Sequence, residues 1–397
     1  MNEVGTEIAA AKEAVTRAVG ELGPKLVNIA KQIHQNPELN FEERFASALL
    51  ASTAGEAGFA VEHPVADIET AFRATYRGAR ATPTVAFLAE YDALPGVGHA
   101  CGHNLIGTAS LGAALGLAAG VPALPGTVQL IGTPAEEGGG GKILLVDRGV
   151  FQDVDAALMF HPANTTELWK HALASRIVRI EFFGKAAHAA SAPEEGVNAL
   201  DATIQTFNGI NALRQHVKSS ARMHGIITHG GEAPNVVPDY SASLFYVRAL
   251  DDAYCEKVAE RVTACAEGAA AATGAGVKVT TEGVYRTLKT NMTLSEAFQG
   301  NLEARGWRFD ETQPFVDIGS SDVGNVSHVA PSIHPYLRIG PNSLLFHSAA
   351  FAEAANSKRG YDAMLDAAVA LAHTALDFLL DSKLQDRVKA EFAAEVG

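Results

Sequence analysis

Three apolar, β-compatible runs, TVAFLAEYD (84–92), TVQLIGTPAEE (127–137) and DAALMFHP (155–162), alternate with helix-compatible segments at 104–119 and 140–151. That alternation specifies a parallel α/β sheet, because parallel neighbours need a crossover between them. Each run ends in titratable side chains: Asp92, then Glu136 and Glu137, then His161. In open α/β sheets the ligand site lies beyond the carboxyl ends of the strands. The three ends therefore converge on one region. Buried charge is costly unless it is paired or ligates a metal, so these groups need solvent or a cation.

The pattern changes near residue 175. SRIVRIEFFGKAAHAA alternates like a half-exposed strand, and a helical segment follows. Then come a hairpin (221–250), a helix (252–273) and the strand GVKVTTEGVY (276–285). This β-α-β-β-α-β order is a ferredoxin-like α+β unit. It reads as inserted, since helix–strand alternation resumes after about residue 290 and runs to a long helix at 359–395. A chain of 397 residues also exceeds what one core normally serves. The expected layout is thus a catalytic domain formed by 1–174 and 291–397, interrupted by a second domain at 175–290. Residues 24–58 read as two helices around the turn HQNPELNFEE.

A formal net charge of −14 argues against nucleic acid or an anionic membrane surface as a partner. The N-terminus reads as an amphipathic helix and not a signal peptide. No window holds the roughly 18 consecutive apolar residues of a membrane span. Three cysteines are too few for a disulfide scaffold, and Cys255 and Cys265 read as small buried hydrophobes in a helix. A reducing cytoplasm is the expected compartment.

The chemistry sits in four short stretches. In GHACGH, Cys101 and His103 alternate about Gly102 and can reach one point, with His99 a turn or supporting residue. In GTPAEEGGGGK the adjacent Glu136 and Glu137 point different ways, so one can bind a metal while the other faces substrate. A phosphate-loop reading of that run fails: the first glycine of the motif would be Glu136, and Ile143 replaces its Ser/Thr. MFHPAN supplies His161 and LLFHSAAF supplies His347. Cys, His and Glu donors suit Zn, Mn, Co or Ni better than Ca or Mg. Five of them are what a pair of metals ~3.5–4 Å apart would use.

IHQNPELNFEE, AEYDALPGVGHACGHN, TPAEEGGGGK, GKAAHAASAPEEGVNAL, APNVVPD and FHSAAF, in that order, resemble a di-metal metallopeptidase family. It comprises the aminoacylases, glutamate carboxypeptidases and hippurate-type amidohydrolases. The resemblance is greatest to its p-aminobenzoyl-glutamate hydrolase and dipeptidase-like branch and runs from about His34 to Glu353. It implies an α/β catalytic domain interrupted by a lid that also forms a homodimer. It makes Cys101, His103, Glu137, His161 and His347 the metal ligands, with Cys101 where other branches place a bridging carboxylate. Glu136 takes the general acid/base role, and Asp92 orients a ligand.

In the lid, the resemblance implies that His188 reaches the partner subunit's site to hold the oxyanion. Asn235 and Arg248 grip the substrate or its carboxylate, for which an Arg fork is well shaped. Ser320, Ser321 and Asp322 are expected to shape the substrate pocket. Two divalent ions per subunit follow, manganese foremost, with zinc, cobalt or nickel as alternatives. The expected reaction is amide hydrolysis of an N-acyl amino acid, an aminobenzoyl-glutamate-like conjugate or a dipeptide. Its rivals are a hydrolytic deaminase on the same site and a non-catalytic metal-binding relative.

Overall fold

The computed structural model describes residues 3–313 and 318–396. It divides into two compact units: residues 1–171 with 288–397, and residues 172–287. The sequence pattern places the division three residues later at each end.

The first unit is built on a six-stranded sheet. Its strands are β1 (Ala60–Glu62), β2 (Phe72–Arg77), β3 (Thr84–Ala89), β4 (Thr127–Gly132), β5 (Ala156–Leu158) and β11 (Ser332–Ile333), in the spatial order β1-β2-β4-β3-β5-β11. β4, β3, β5 and β11 are mutually parallel, and β1 and β2 add antiparallel at one edge. Every residue of β3 is buried, as expected of a central parallel strand covered on both faces. Helix His103–Gly120 is apolar almost all round and buried along most of its length. Against it lie Val19 and Leu26 of helix Glu3–Gln35.

Several local expectations change. The run at 155–162 is two short strands, because the chain leaves the sheet at Met159 and Phe160. His161 opens β6 (His161–Ala163), which pairs in parallel with β12 (Tyr336–Arg338) in a separate two-stranded sheet. Helix Gly141–Asp147 is shorter than the 140–151 expected. Residues 24–35 are no separate helix: Glu3–Gln35 runs unbroken through Pro24, and Arg44–Glu56 follows the turn. The long C-terminal helix is two helices, Lys358–Leu380 and Ser382–Val396, broken where Asp381 turns extended and its carboxylate accepts from the Lys383 N–H at 2.9 Å. Lys358–Leu380 is long and apolar enough to cross a membrane, but 72% of its apolar window is packed inside the protein.

The second unit has β7 (Ala174–Phe183), β8 (Arg222–His229), β9 (Tyr240–Ala249) and β10 (Gly276–Tyr285) in the order β10-β7-β9-β8, all antiparallel. Helices Ala199–Leu213 and Asp252–Thr273 complete the β-α-β-β-α-β succession. Asn198 and Asp251 cap them through their side chains. The core lies between Val178, Ile180, Phe245 and Val247 on the strands and Ile210, Val258 and Val262 on the helices. Cys255 is buried there, whereas Cys265 is only half-buried. All three cysteines are free thiols.

Candidate metal centre

After β3 the chain leaves the sheet as Glu90-Tyr91-Asp92, all buried. Tyr91 turns away, its hydroxyl donating to the Thr70 carbonyl at 2.6 Å. Asp92 turns toward helix His103–Gly120: its Oδ1 accepts from His103 Nδ1 at 2.8 Å, and its Oδ2 accepts from the Glu137 N–H at 2.9 Å. One carboxylate thus ties an imidazole of one element to the loop after β4. With Nδ1 donating, His103 presents Nε2 as a lone pair, and among the described residues that buried atom has no hydrogen-bond partner. Burial alone would lower the His103 pKa, but Asp92 and Glu90 hold it well above its ordinary value. A proton and a cation therefore compete for Nε2.

Cys101 and His103 flank Gly102, which sits at φ +81° and starts the helix. A Cβ at that position would meet Pro162 Cγ at 2.5 Å, so glycine alone lets the turn close against β6. That contact brings His161 alongside: its Nε2 lies 3.5 Å from Cys101 Sγ, while its Nδ1 donates to the Pro162 carbonyl at 2.7 Å. Burial, then its neighbour His334, lowers the His161 pKa to about 3, leaving a neutral ring whose Nε2 lone pair faces the Cys101 thiol. His347 arrives from the C-terminal part, its N–H donating to the Ala100 carbonyl at 3.0 Å and its Nε2 3.5 Å from Glu137 Oε2. It holds a left-handed φ of +59°, a strained conformation of the kind that clusters at functional sites.

These side chains form overlapping donor sets. Cys101, His103 and His161 offer ligand atoms within 4.8 Å of one another; so do Cys101, Glu137 and His347, and so do His103, Glu136 and Glu137. The donors fit divalent metal. They run from a soft thiolate through borderline imidazoles to hard carboxylates, and among the described residues His103 Nε2 and Glu137 Oε1 are buried without hydrogen-bond partners. Burial and then the Glu137 carboxylate push the Cys101 thiol well above its usual range. A bound cation reverses that balance and makes the thiolate the stable form. Burial, then the carboxylates of Glu90, Glu137 and Asp322, likewise raise Glu136 well above the carboxylate range.

The other residues singled out in the sequence fall in three places. His99 is buried in the turn before Gly102, whose N–H donates to its carbonyl at 3.1 Å; its Nε2 donates to the Ile33 carbonyl, also at 3.1 Å, and burial drives its pKa down to about 3. Asp322 lies beside Glu136, an oxygen of each within 4.8 Å of the other. It is fully buried, with one oxygen 2.7 Å from Lys142 Nζ and the other accepting the Lys142 N–H at 2.9 Å. In the second unit His188 and Val236 form a β-bridge, and the Ala189 N–H donates to the Asn235 carbonyl, so His188 and Asn235 sit side by side. His188 is exposed, and its Nδ1 accepts from the N–H groups of Ala190 and Ser191, both at 3.2 Å. That pattern assigns the ring proton to Nε2, which is free to donate. Arg248 lies on β9 beside Tyr246, its guanidinium 5.7 Å from that ring and its Nε, among the described residues, without a hydrogen-bond partner.

Sequence reasoning passes over Glu90, Lys142 and His334. Glu90 is legible as the residue two before Asp92 at the same strand end. His334 follows β11 at the same edge of the sheet, buried, its ring 5.4 Å from that of His161.

Residues 86–377 match the sequence pattern of peptidase family M20/M25/M40. The chain belongs to this family. It is 39% identical to the Xaa-Arg dipeptidase of Mus musculus, over 99% of this chain and 96% of that protein. It is 37% identical to a p-aminobenzoyl-glutamate hydrolase component of Escherichia coli, over 72% of this chain and 64% of that protein. The fold matches the crystal structure of a dinuclear metal binding peptidase from family M20 of Bacillus subtilis, with a TM-score of 0.64 at 22% identity, covering 89% of this chain and 99% of that one. As an M20 member the chain is a metal-dependent hydrolase of amide or peptide bonds.

Proposed function

We propose that this M20 hydrolase carries two divalent ions on Cys101, His103, Glu137, His161 and His347 and cleaves a dipeptide, N-acyl amino acid or aminobenzoyl-glutamate-like amide. The observation that carries the reading is the shared thiol: Cys101 belongs to one donor set with His103 and His161 and to another with Glu137 and His347. The names of the relatives support the substrate class, a dipeptide ending in arginine or an aminobenzoyl-glutamate amide. When bound, the ions would polarise the scissile carbonyl and bring the attacking water's pKa toward neutrality. Manganese is the expected metal, and the same donors accept zinc, cobalt or nickel.

The protein's own part is proton transfer and orientation. Glu136 takes a proton from the attacking water and returns it to the leaving amine, a positioned acid/base effect worth about 10²–10⁴-fold. Asp92 keeps His103 in the tautomer that exposes Nε2. The Nε2–H of His188 donates to the developing oxyanion, where losing one donor typically costs about 10²–10³-fold. Arg248 and Asn235 hold a substrate carboxylate.

His188 acts in the partner's site of a homodimer. In support, β8 is an edge strand that exposes Ile226 and Ile227, a surface suited to pairing with a second copy. Three free thiols suit a reducing cytoplasm.

Glu136→Ala tests the central role. The variant should bind metal like the parent and lose at least about 10²-fold in kcat on a dipeptide or aminobenzoyl-glutamate, read as acid and amine products by mass spectrometry. Activity near the parent's would remove Glu136 from the mechanism.

A further inference from the structure

The lysine that closes the glycine run, Lys142, is entirely buried. Its Nζ lies 2.6 Å from Glu90 Oε1 and 2.7 Å from Asp322 Oδ1, and its own N–H donates to Asp322 Oδ2 at 2.9 Å. Oxygens of Glu90, Asp322 and Glu136 all lie within 4.8 Å of one another. Three clustered carboxylates repel one another, and a cation among them offsets that repulsion. The ammonium of Lys142 is that cation.

Burying such a network is a poor way to gain stability, since apolar replacements often do as well or better. Its position points elsewhere. Lys142 stands in the first turn of helix Gly141–Asp147, and Glu136 stands at the other end of the same glycine loop. The loop's ends are pressed together: a Cβ on Gly141 would lie 1.9 Å from the Pro134 carbonyl oxygen. Anchoring Lys142 to Asp322 and Glu90 therefore anchors the backbone on which Glu136 is carried. Removing the ammonium would leave Glu136 facing two unneutralised carboxylates and push its side chain out of the cluster.

We propose that Lys142, held by Asp322 and Glu90, is a positioning residue that keeps Glu136 in place for proton transfer. The inference rests on the reading of Glu136 as the acid/base, and the test separates the two. Lys142→Met keeps the side chain's length without its charge. In the metal-loaded enzyme it should lower kcat by about 10²-fold, the scale of a small misplacement of a catalytic group, with KM changed less than about threefold. In a Glu136→Ala background the same substitution should cost nothing further, because the group it positions is gone. A merely structural lysine would cost as much in both backgrounds, and that additivity would overturn the inference.

Full activity of Lys142→Met beside an inactive Glu136→Ala would overturn this inference alone. Full activity of Glu136→Ala would overturn the acid/base reading and this inference with it. Where Lys142→Met does not reach the parent's circular dichroism and metal content, Lys142→Met with Asp322→Asn removes one stranded carboxylate along with the ammonium. The same comparison on that pair then decides, with the same two outcomes.

Discussion

Glu43 lies fully buried beneath the loop that carries Glu136. One of its oxygens accepts the Ala135 N–H at 2.8 Å, and among the described residues the other has no hydrogen-bond partner. Burial, then the nearby Asp92 carboxylate, raises its pKa from the ordinary 4.5 to about 7. The folded state therefore binds a proton more tightly than the unfolded chain. Its contribution to stability is fully present below pH 4.5 and is lost as the pH rises through 7. The loss is on the order of 3 kcal/mol. Glu43→Gln should flatten that segment of the stability–pH curve in denaturant titrations and be more stable than the parent at pH 8; an unchanged slope would contradict the assignment. The proposed ligands are legible at this scale because their residue types are uncommon together and each sits at or close to the boundary of a strand or a helix. The pairing of Lys142 with Asp322 is not, since it spans 180 positions and neither segment's sequence points to the other.

At the scale of elements, the turn at Gly102 bears the most weight. Alanine there would occupy a left-handed conformation costing about 1–2 kcal/mol. It would also drive a methyl group into the Pro162 ring that backs His161. Gly102→Ala should lower the midpoint of thermal unfolding and weaken metal binding together, as read by calorimetry and metal titration; a stable variant with parental affinity would mean that the turn does not position Cys101 and His103. Elements with one exposed and one buried face read well from sequence: helix Asp252–Thr273 and β10 match their expected spans. The run at 155–162 does not, because a fully apolar stretch hides the step by which the chain leaves one sheet and joins another. The break at Asp381 is hidden for a similar reason, since both flanking segments are good helix formers.

On the scale of the whole molecule, the split into two units is visible as a change of period, from buried parallel strands to alternating antiparallel ones. The strand-end pattern carries the convergence on one region, but that the donors meet at one thiol is implied in the sequence only by the family resemblance. Cys101 is adjacent in space to residues from β6, from the loop after β4 and from the segment before helix Ala349–Ala355. That convergence is the central claim, and metal stoichiometry tests it most directly. Apo-enzyme titrated with manganese or zinc should take up two ions per chain, with hydrolysis of a dipeptide or aminobenzoyl-glutamate rising in step, and Cys101→Ala should take up fewer. Binding of one ion or none at full activity, or an unchanged count of two in Cys101→Ala, would contradict a site built around a shared thiolate.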